Sequence, residues 1–315
     1  MENHKLIVLA FGGNAIIRHG QYGDIHTQFA NTREVLEGIV KPVRNGAGLI
    51  IVHGNGPQVG HELIRSQTAH PETPELPLGV LVADTEGGMG YMIQQCLQNV
   101  LWRHSLKKPV VTILTQVVVD RNDPKLQNPT KPVGRFFTGE EAEVLAREKG
   151  WVMKEDSGRG WRMVVPSPDP VKIIEHKTIS KLVNDGIIVI AGGGGGIPIV
   201  VEENGDFEGQ DVVIDKDLTA ALIGNSCNAD TLIVATDIRK VSLNFNRPEQ
   251  VDLDRISVSE AEKYLGEGHF AEGSMGPKIR ASIRFLRNGG RSVVICAPSQ
   301  ITDALQGKAG TLIYS

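Results

Sequence analysis

Two stretches, LIVLAFGGNA at residues 6–15 and LIIVHGNGPQVG at residues 49–60, decide the fold. Each is a short run rich in Leu, Ile and Val that ends in a glycine–asparagine turn: Gly12, Gly13 and Asn14 in the first, Gly54, Asn55 and Gly56 in the second. An apolar run with no polar alternation predicts a strand buried on both faces of a parallel sheet. Glycines at the C-terminal end of such a strand let backbone N–H groups come close to a ligand. A helix starting just beyond turns its positive end toward an anion. Two such turns on one sheet predict a cradle for both ends of an anionic reaction, which points toward phosphoryl transfer.

The surrounding chain alternates in the same way. FANTREVLEGIVKPVRNG places Val35, Leu36, Ile39, Val40 and Val43 near helical spacing, and Pro57 opens a second helix, PQVGHELIRSQTA, at the position proline favours. TEGGMGYMIQQCLQNVLWRH reads as a third helix with Met92, Cys96, Val100 and Leu101 as its apolar stripe. PVVTILTQVVVD, GIIVIAGG, DTLIVATD and SVVICAPS read as further strands. Strand–helix alternation of this kind predicts an α/β protein with a parallel sheet covered on both faces.

Residues 120–170 break the pattern. They hold six prolines, two of the three tryptophans and one clear helix, TGEEAEVLAREKG, with Thr138 and Glu141 as a capping box. The segment reads as an insertion into a single domain spanning 1–315, either a surface excursion or a lid. Lys131, Arg135, Arg159 and Arg162 favour a lid that lowers cations over an anionic site.

Composition narrows the partners. A net charge of −4 over 315 residues gives no electrostatic case for nucleic acid or an anionic membrane. Cys96, Cys227 and Cys296 are widely spaced and odd in number, so no disulfide framework or CxxC metal motif follows, and a reducing cytoplasm is expected. The N-terminal apolar run is too short for a signal peptide, and the longest apolar segment, GIIVIAGGGGGIPIVV, is broken by glycines and a proline. No P-loop, HExxH or GxSxG motif occurs. The one GxGxxG/A match, at Gly266, Gly268 and Ala271, follows a helical pattern rather than a strand, which argues against a Rossmann oxidoreductase.

Three later segments carry candidate chemistry, each with two readings. The glycine run 192–196 follows the strand IIVIA and is either a flexible strand end or bare backbone for a nucleotide or phosphate. Asp215, Lys216 and Asp217 stand at a strand end before a helix of small apolar residues: a lysine held between carboxylates, or a helix with an Asp cap. EGHFAEGSMGPK places Lys278 and small residues at the start of an amphipathic helix, a second candidate phosphate contact.

Together FGGNA, HGNGPQVG, NPTKPVGRF, KEDSGRGWRMVVPSP, GGGGGIP, VIDKDL and EGHFAEGSMGPK resemble the carbamate kinases of the amino acid kinase family, nearly end to end. The resemblance implies a three-layer α/β/α sandwich around a mostly parallel sheet, a small protruding lid subdomain and a homodimer. It further implies reversible phosphoryl transfer between ATP and carbamate, giving ADP and carbamoyl phosphate, with Mg²⁺ on the nucleotide phosphates. Such enzymes run toward ATP in arginine or carbamoyl phosphate catabolism.

Laid onto this sequence, the family's roles give Gly12, Gly13, Asn14, Gly54, Asn55 and Gly56 to the carbamate end. Lys131 would reach the transferring phosphoryl group, Lys216 its oxygens, and Asp217 would orient the lysines. Lys278 would meet the nucleotide's phosphates, and the nucleotide would lie along Gly193, Gly194, Gly195, Thr236, Asp237, Val241 and Met275. Three differences stand out beside the family pattern. Ala10 occupies the place where related amino acid kinases carry a lysine on the first strand, so Lys131 would substitute for it. Thr85-Glu86-Gly87 replaces Ser-Gln-Gly or Thr-Gln-Gly, and a carboxylate beside an anionic substrate would repel it unless a cation such as an arginine were paired with it. Ser242 stands where an aromatic is common beside the adenine. A related kinase for another acceptor and a non-catalytic nucleotide sensor remain as alternatives on the same fold.

Overall fold

A computed structural model of the chain describes residues 6–17, 21–156 and 160–315; of Asn14 it describes the backbone alone. Eight strands form the central sheet, in the order Arg255–Ser257, Thr311–Tyr314, Ser292–Cys296, Thr231–Ala235, Leu6–Phe11, Gly48–His53, Ile188–Ile190 and Val110–Thr112. All neighbours run parallel except Ser292–Cys296 and Thr311–Tyr314.

Alternation along the first strand builds two cores. Val8 and Ala10 face one layer, with Ile179, Ile223, Ile279 and Phe285 of the helices His176–Asn184, Lys216–Ser226 and Met275–Arg287. Ile7, Leu9 and Phe11 face the other, with Val35 and Leu36 of Ile25–Glu37 and Met92, Ile93 and Leu97 of Leu78–Arg103. Burial on both faces is what the unbroken apolar runs predict. The result is a three-layer α/β/α sandwich.

Two expected elements come out divided. The helix read across 29–46 is two, Ile25–Glu37 and Val40–Arg44. Pro42 has no N–H to return to the Gly38 carbonyl, which accepts instead from Thr302 Oγ1 at 2.9 Å. The strand read in PVVTILTQVVVD splits at Thr115, whose hydroxyl folds back onto the Ile113 carbonyl. Val110–Thr112 stays in the central sheet, while Gln116–Val119 joins a four-stranded sheet with Pro170–Ile173, Ile197–Val201 and Phe207–Gly209.

Lys131–Phe137, Trp161–Val165 and Met153–Glu155 form a separate three-stranded antiparallel sheet, with the helix Gly139–Lys149 alongside. Thr138 and Glu141 cap that helix reciprocally, and Gly150 closes it in the left-handed conformation. Val133 and Val165 share a small core with Val59, Leu81 and Val82. The approach is close: a Cβ on Gly60 would lie 2.5 Å from Gly134 Cα. The helix that starts at the second glycine turn, Gly56–Thr68, therefore carries the inserted sheet.

Candidate active site

Sheet order sets four strand ends side by side. Thr236 follows Thr231–Ala235, Gly12 follows Leu6–Phe11, Gly54 follows Gly48–His53, and Gly192 lies just past Ile188–Ile190. Ligands of open parallel sheets bind beyond these carboxyl ends.

The two glycine turns touch. Gly54 N–H donates to the Phe11 carbonyl at 2.9 Å, and a Cβ on Gly54 would sit 3.0 Å from Gly13 N and 3.1 Å from Lys216 Cδ. Close approach, rather than a positive φ, is what requires glycine here. After the first turn the chain makes only a four-residue helix, Gly13–Ile16. The positive helix end expected at both turns is thus supplied by Gly56–Thr68 alone.

Gly13, Gly54, Asn55, Gly56, Gly194 and Lys216 line a cavity of about 430 Å³, and Lys131, Arg135 and Arg162 close it from the inserted sheet. Arg159 lies outside the described residues. Gly12 caps the short helix, its carbonyl accepting from Ala15 N–H at 3.0 Å, and does not line this cavity. Asn14 contributes its backbone to the same helix; its side chain lies outside the description. Asn55 is buried and donates from Nδ2 to Thr85 Oγ1 at 2.8 Å.

A second cavity, about 270 Å³, is lined by Thr236, Asp237, Met275 and Lys278, with Ile238, Phe245 and Phe270 as apolar walls. Val241, expected here, is fully buried and donates its N–H to Thr311 Oγ1, while its neighbour Ser242 reaches the cavity. The glycine run does not line this smaller cavity. Gly194 lines the larger cavity, and Gly193 and Gly195 are buried against His53 and the Ile214 carbonyl.

Charged groups join the two cavities. Lys216 Nζ lies 2.5 Å from Asp217 Oδ1, and Lys278 Nζ lies 3.3 Å from Asp217 Oδ2. Lys131 Nζ reaches Asp215 Oδ2 at 2.7 Å. Asp215 Oδ1 accepts from the N–H groups of Asp217 and Leu218, so it is at once the helix cap and the lysine partner. Burial would raise both carboxyls, but the surrounding lysines outweigh it and hold Asp215 and Asp217 below the usual carboxylate range. Burial lowers Lys216, with Asp217 opposing that and Lys278 adding to it. For Lys278 burial loses to Asp217 and Asp215, and its pKa is raised. Three cations against two anions leave a surplus positive charge where a phosphoryl group would be attracted.

Comparison with known proteins fits this geometry. The amino acid kinase family matches residues 5–297. A carbamate kinase of Pyrococcus horikoshii is 47% identical over 310 residues, covering 98% of each chain. The chain belongs to the carbamate kinases of the amino acid kinase family. Among solved structures, the carbamate kinase of Giardia lamblia bound to citric acid superposes with a TM-score of 0.93 at 41% identity, covering 100% of this chain and 99% of that one. The same enzyme bound to AMP-PNP gives 0.91 at 41% identity, with the same coverage. As a member of this family the chain is a phosphotransferase.

Two family departures now have a place. Ala10 is fully buried in the core layer it shares with Val8 and Ile223, whereas Lys131 stands in the cavity. Glu86 does not line the larger cavity, and it is held by backbone N–H groups rather than by an arginine. Its carboxyl is buried beneath the glycine run, Oε1 accepting from Gly193 N–H at 2.8 Å and Oε2 from Thr115 N–H at 3.0 Å. Sequence reasoning also missed Thr115 and His53, which support the same run. His53 stands inside the quoted HGNGPQVG segment, next to Gly54, while no local pattern marks Thr115.

Proposed function

We propose that this chain transfers a phosphoryl group between ATP and carbamate, with carbamoyl phosphate in the larger cavity and the nucleotide in the smaller. The observation that carries this reading is the row Lys131, Lys216, Lys278 at the junction of the two, balanced by Asp215 and Asp217. Gly13, Gly54, Asn55, Gly56 and Gly194 serve the carbamate end. Thr236, Asp237 and Met275 serve the nucleotide. Both nucleophiles, a carbamate oxygen and a β-phosphate oxygen of ADP, are already anions, so no general base is needed. Catalysis rests on alignment and on cations placed where charge moves.

All four carboxylate oxygens at the junction are committed to lysines or helix N–H groups. These residues therefore fit Mg²⁺ only as partners through water, and the ion's direct ligands would be nucleotide phosphates. Bound there, it neutralises phosphate charge. The inserted sheet acts as the lid, bringing Lys131, Arg135 and Arg162 over the phosphoryl group and excluding water. Carbamoyl phosphate is a mixed anhydride, which favours running the reaction toward ATP. Incubation with carbamoyl phosphate, ADP and Mg²⁺ is expected to yield ATP; a folded protein that forms none would sink the reading.

A homodimer is supported by the outer face of Leu78–Arg103. Val80, Tyr91 and Trp102 recur every eleven residues, about three helical turns, and so form one stripe. Tyr91 is 61% and Trp102 73% exposed, unusual for aromatics on a monomer's surface. Light scattering should give twice the chain mass, and Trp102→Glu should shift it toward the monomer. A wild-type monomer at micromolar concentration would remove the dimer. No helix among the described residues is long and apolar enough to cross a membrane. A cytoplasmic location suits an enzyme of ATP whose three thiols are unpaired and buried.

A further inference from the structure

Two adjacent buried residues of the helix Leu78–Arg103 reach two different turns. Thr85 accepts from Asn55 of the second glycine turn, and Glu86 accepts from Gly193 of the glycine run. The other Glu86 oxygen takes Thr115 N–H, and Thr115 Oγ1 in turn takes Gly192 N–H at 2.8 Å. One helical turn thereby fixes the spacing of two backbone loops that line the same cavity.

The run it holds is conformationally costly. Gly192, Gly194, Gly195 and Gly196 all have positive φ. A Cβ on Gly193 would lie 2.2 Å from His53 Nε2 and 3.0 Å from Glu86 Cγ, so the backbone is clamped between these two side chains. We propose that Glu86 is a positioning residue for phosphoryl transfer, holding the glycine run in the shape that lets Gly194 line the substrate cavity. This rests on the kinase reading of that cavity. A glutamine in its place would offer one acceptor oxygen. A carboxylate offers two, and a charged acceptor binds N–H groups more strongly.

The titratable groups facing Glu86 do not neutralise it. His53, across Gly193, is pushed down to about 4 by burial and stays uncharged; its Nε2 is buried with no hydrogen-bond partner. Lys216 lies beyond His53, acting on the imidazole, and Glu175 adds a like charge. Burial, opposed by the two backbone bonds, raises Glu86 to about 8. Near neutrality it therefore keeps a proton, and the protonated oxygen is the poorer acceptor. The second strong bond to the loops is completed as pH rises through about 8.

Stability runs the other way. A carboxyl whose folded pKa exceeds its unfolded value binds more protons when folded, so stability falls as pH rises between about 4.3 and about 8.

Glu86→Gln and Glu86→Ala test this. For wild type, kcat for ATP formation should climb between pH 7 and 9, and Tm should fall between pH 5 and 8. Glu86→Gln should flatten both slopes and hold kcat near the wild type's acid-limb value. Glu86→Ala should raise KM for carbamoyl phosphate about tenfold, the size of one net hydrogen bond, with KM for ADP unchanged. Wild-type slopes retained in Glu86→Gln would overturn the proposal. So would a Glu86→Ala protein of lower Tm whose carbamoyl phosphate KM had not moved, since that marks a purely structural residue. Should the wild type make no ATP at all, the kinase reading fails, while the Tm slopes still report whether Glu86 titrates in place.

Discussion

Lys131→Ala is expected to lower kcat for ATP formation roughly a thousandfold while moving Tm by no more than about 3 °C. The two halves have separate causes. Lys131 Nζ projects from the inserted sheet into the cavity, and its salt bridge to Asp215 is a third exposed on the lysine side. Solvent at the lysine end screens the pair, although Asp215 itself is buried. Asp215 keeps its helix-capping bonds and its two other lysine neighbours when Lys131 is removed. The inserted sheet stays docked through Val133 and Val165, each nearly fully buried and contributing about 1.5 kcal/mol or more. Packing therefore outweighs the ion pair in holding the sheet down. On the proposed function, by contrast, the ammonium would meet charge spread over the transferring oxygens in the transition state. Steady-state kinetics beside a thermal melt separates the two. A Tm loss above about 8 °C would mark Lys131 as structural.

Much of the fold was legible because the determining signals are local. An apolar run closed by Gly12–Gly13 or Gly54–Gly56 can hardly be anything but a buried strand with an open end, and both lie where expected. The Thr138 capping box needed only four residues to be read. Pairings across long stretches were not visible. Lys278 meets Asp217 sixty-one residues away, and Lys131 meets Asp215 eighty-four away. The resemblance lays the nucleotide along the glycine run, and the run's own residues leave nucleotide and phosphate both open. Sheet order instead puts Ile188–Ile190 beyond Gly48–His53, on the far side from Thr236. Glu86 shows the same limit from within a helix. The resemblance sets it beside an anionic substrate, but the helix turns it under the glycine run, where backbone N–H groups hold it.

Asp217→Asn should cost both activity and stability. Asp217 pairs directly with both Lys216 and Lys278, through one oxygen each, and all three side chains are largely buried. An amide cannot neutralise either ammonium, and its NH₂ group must face one of them. Breaking a buried pair by deleting one partner costs about 3 kcal/mol or more, which for a chain of this size is a Tm loss of roughly 6–12 °C. Asp215 stays nearby and keeps the loss from being larger. Turnover should fall about a hundredfold, the cost of catalytic groups displaced by around an ångström. The pH dependence identifies the cause. Lys216 already titrates below an ordinary lysine, chiefly through burial, and Asp217 opposes that fall. Removing the carboxylate lowers it further. A base whose folded pKa lies below its unfolded value binds fewer protons when folded, so stability rises with pH until about 10.4. The Tm gap between Asp217→Asn and wild type should therefore narrow from pH 7 to pH 10. A gap that stays constant over that range would assign the loss to packing rather than to two lysines left without their shared counter-charge.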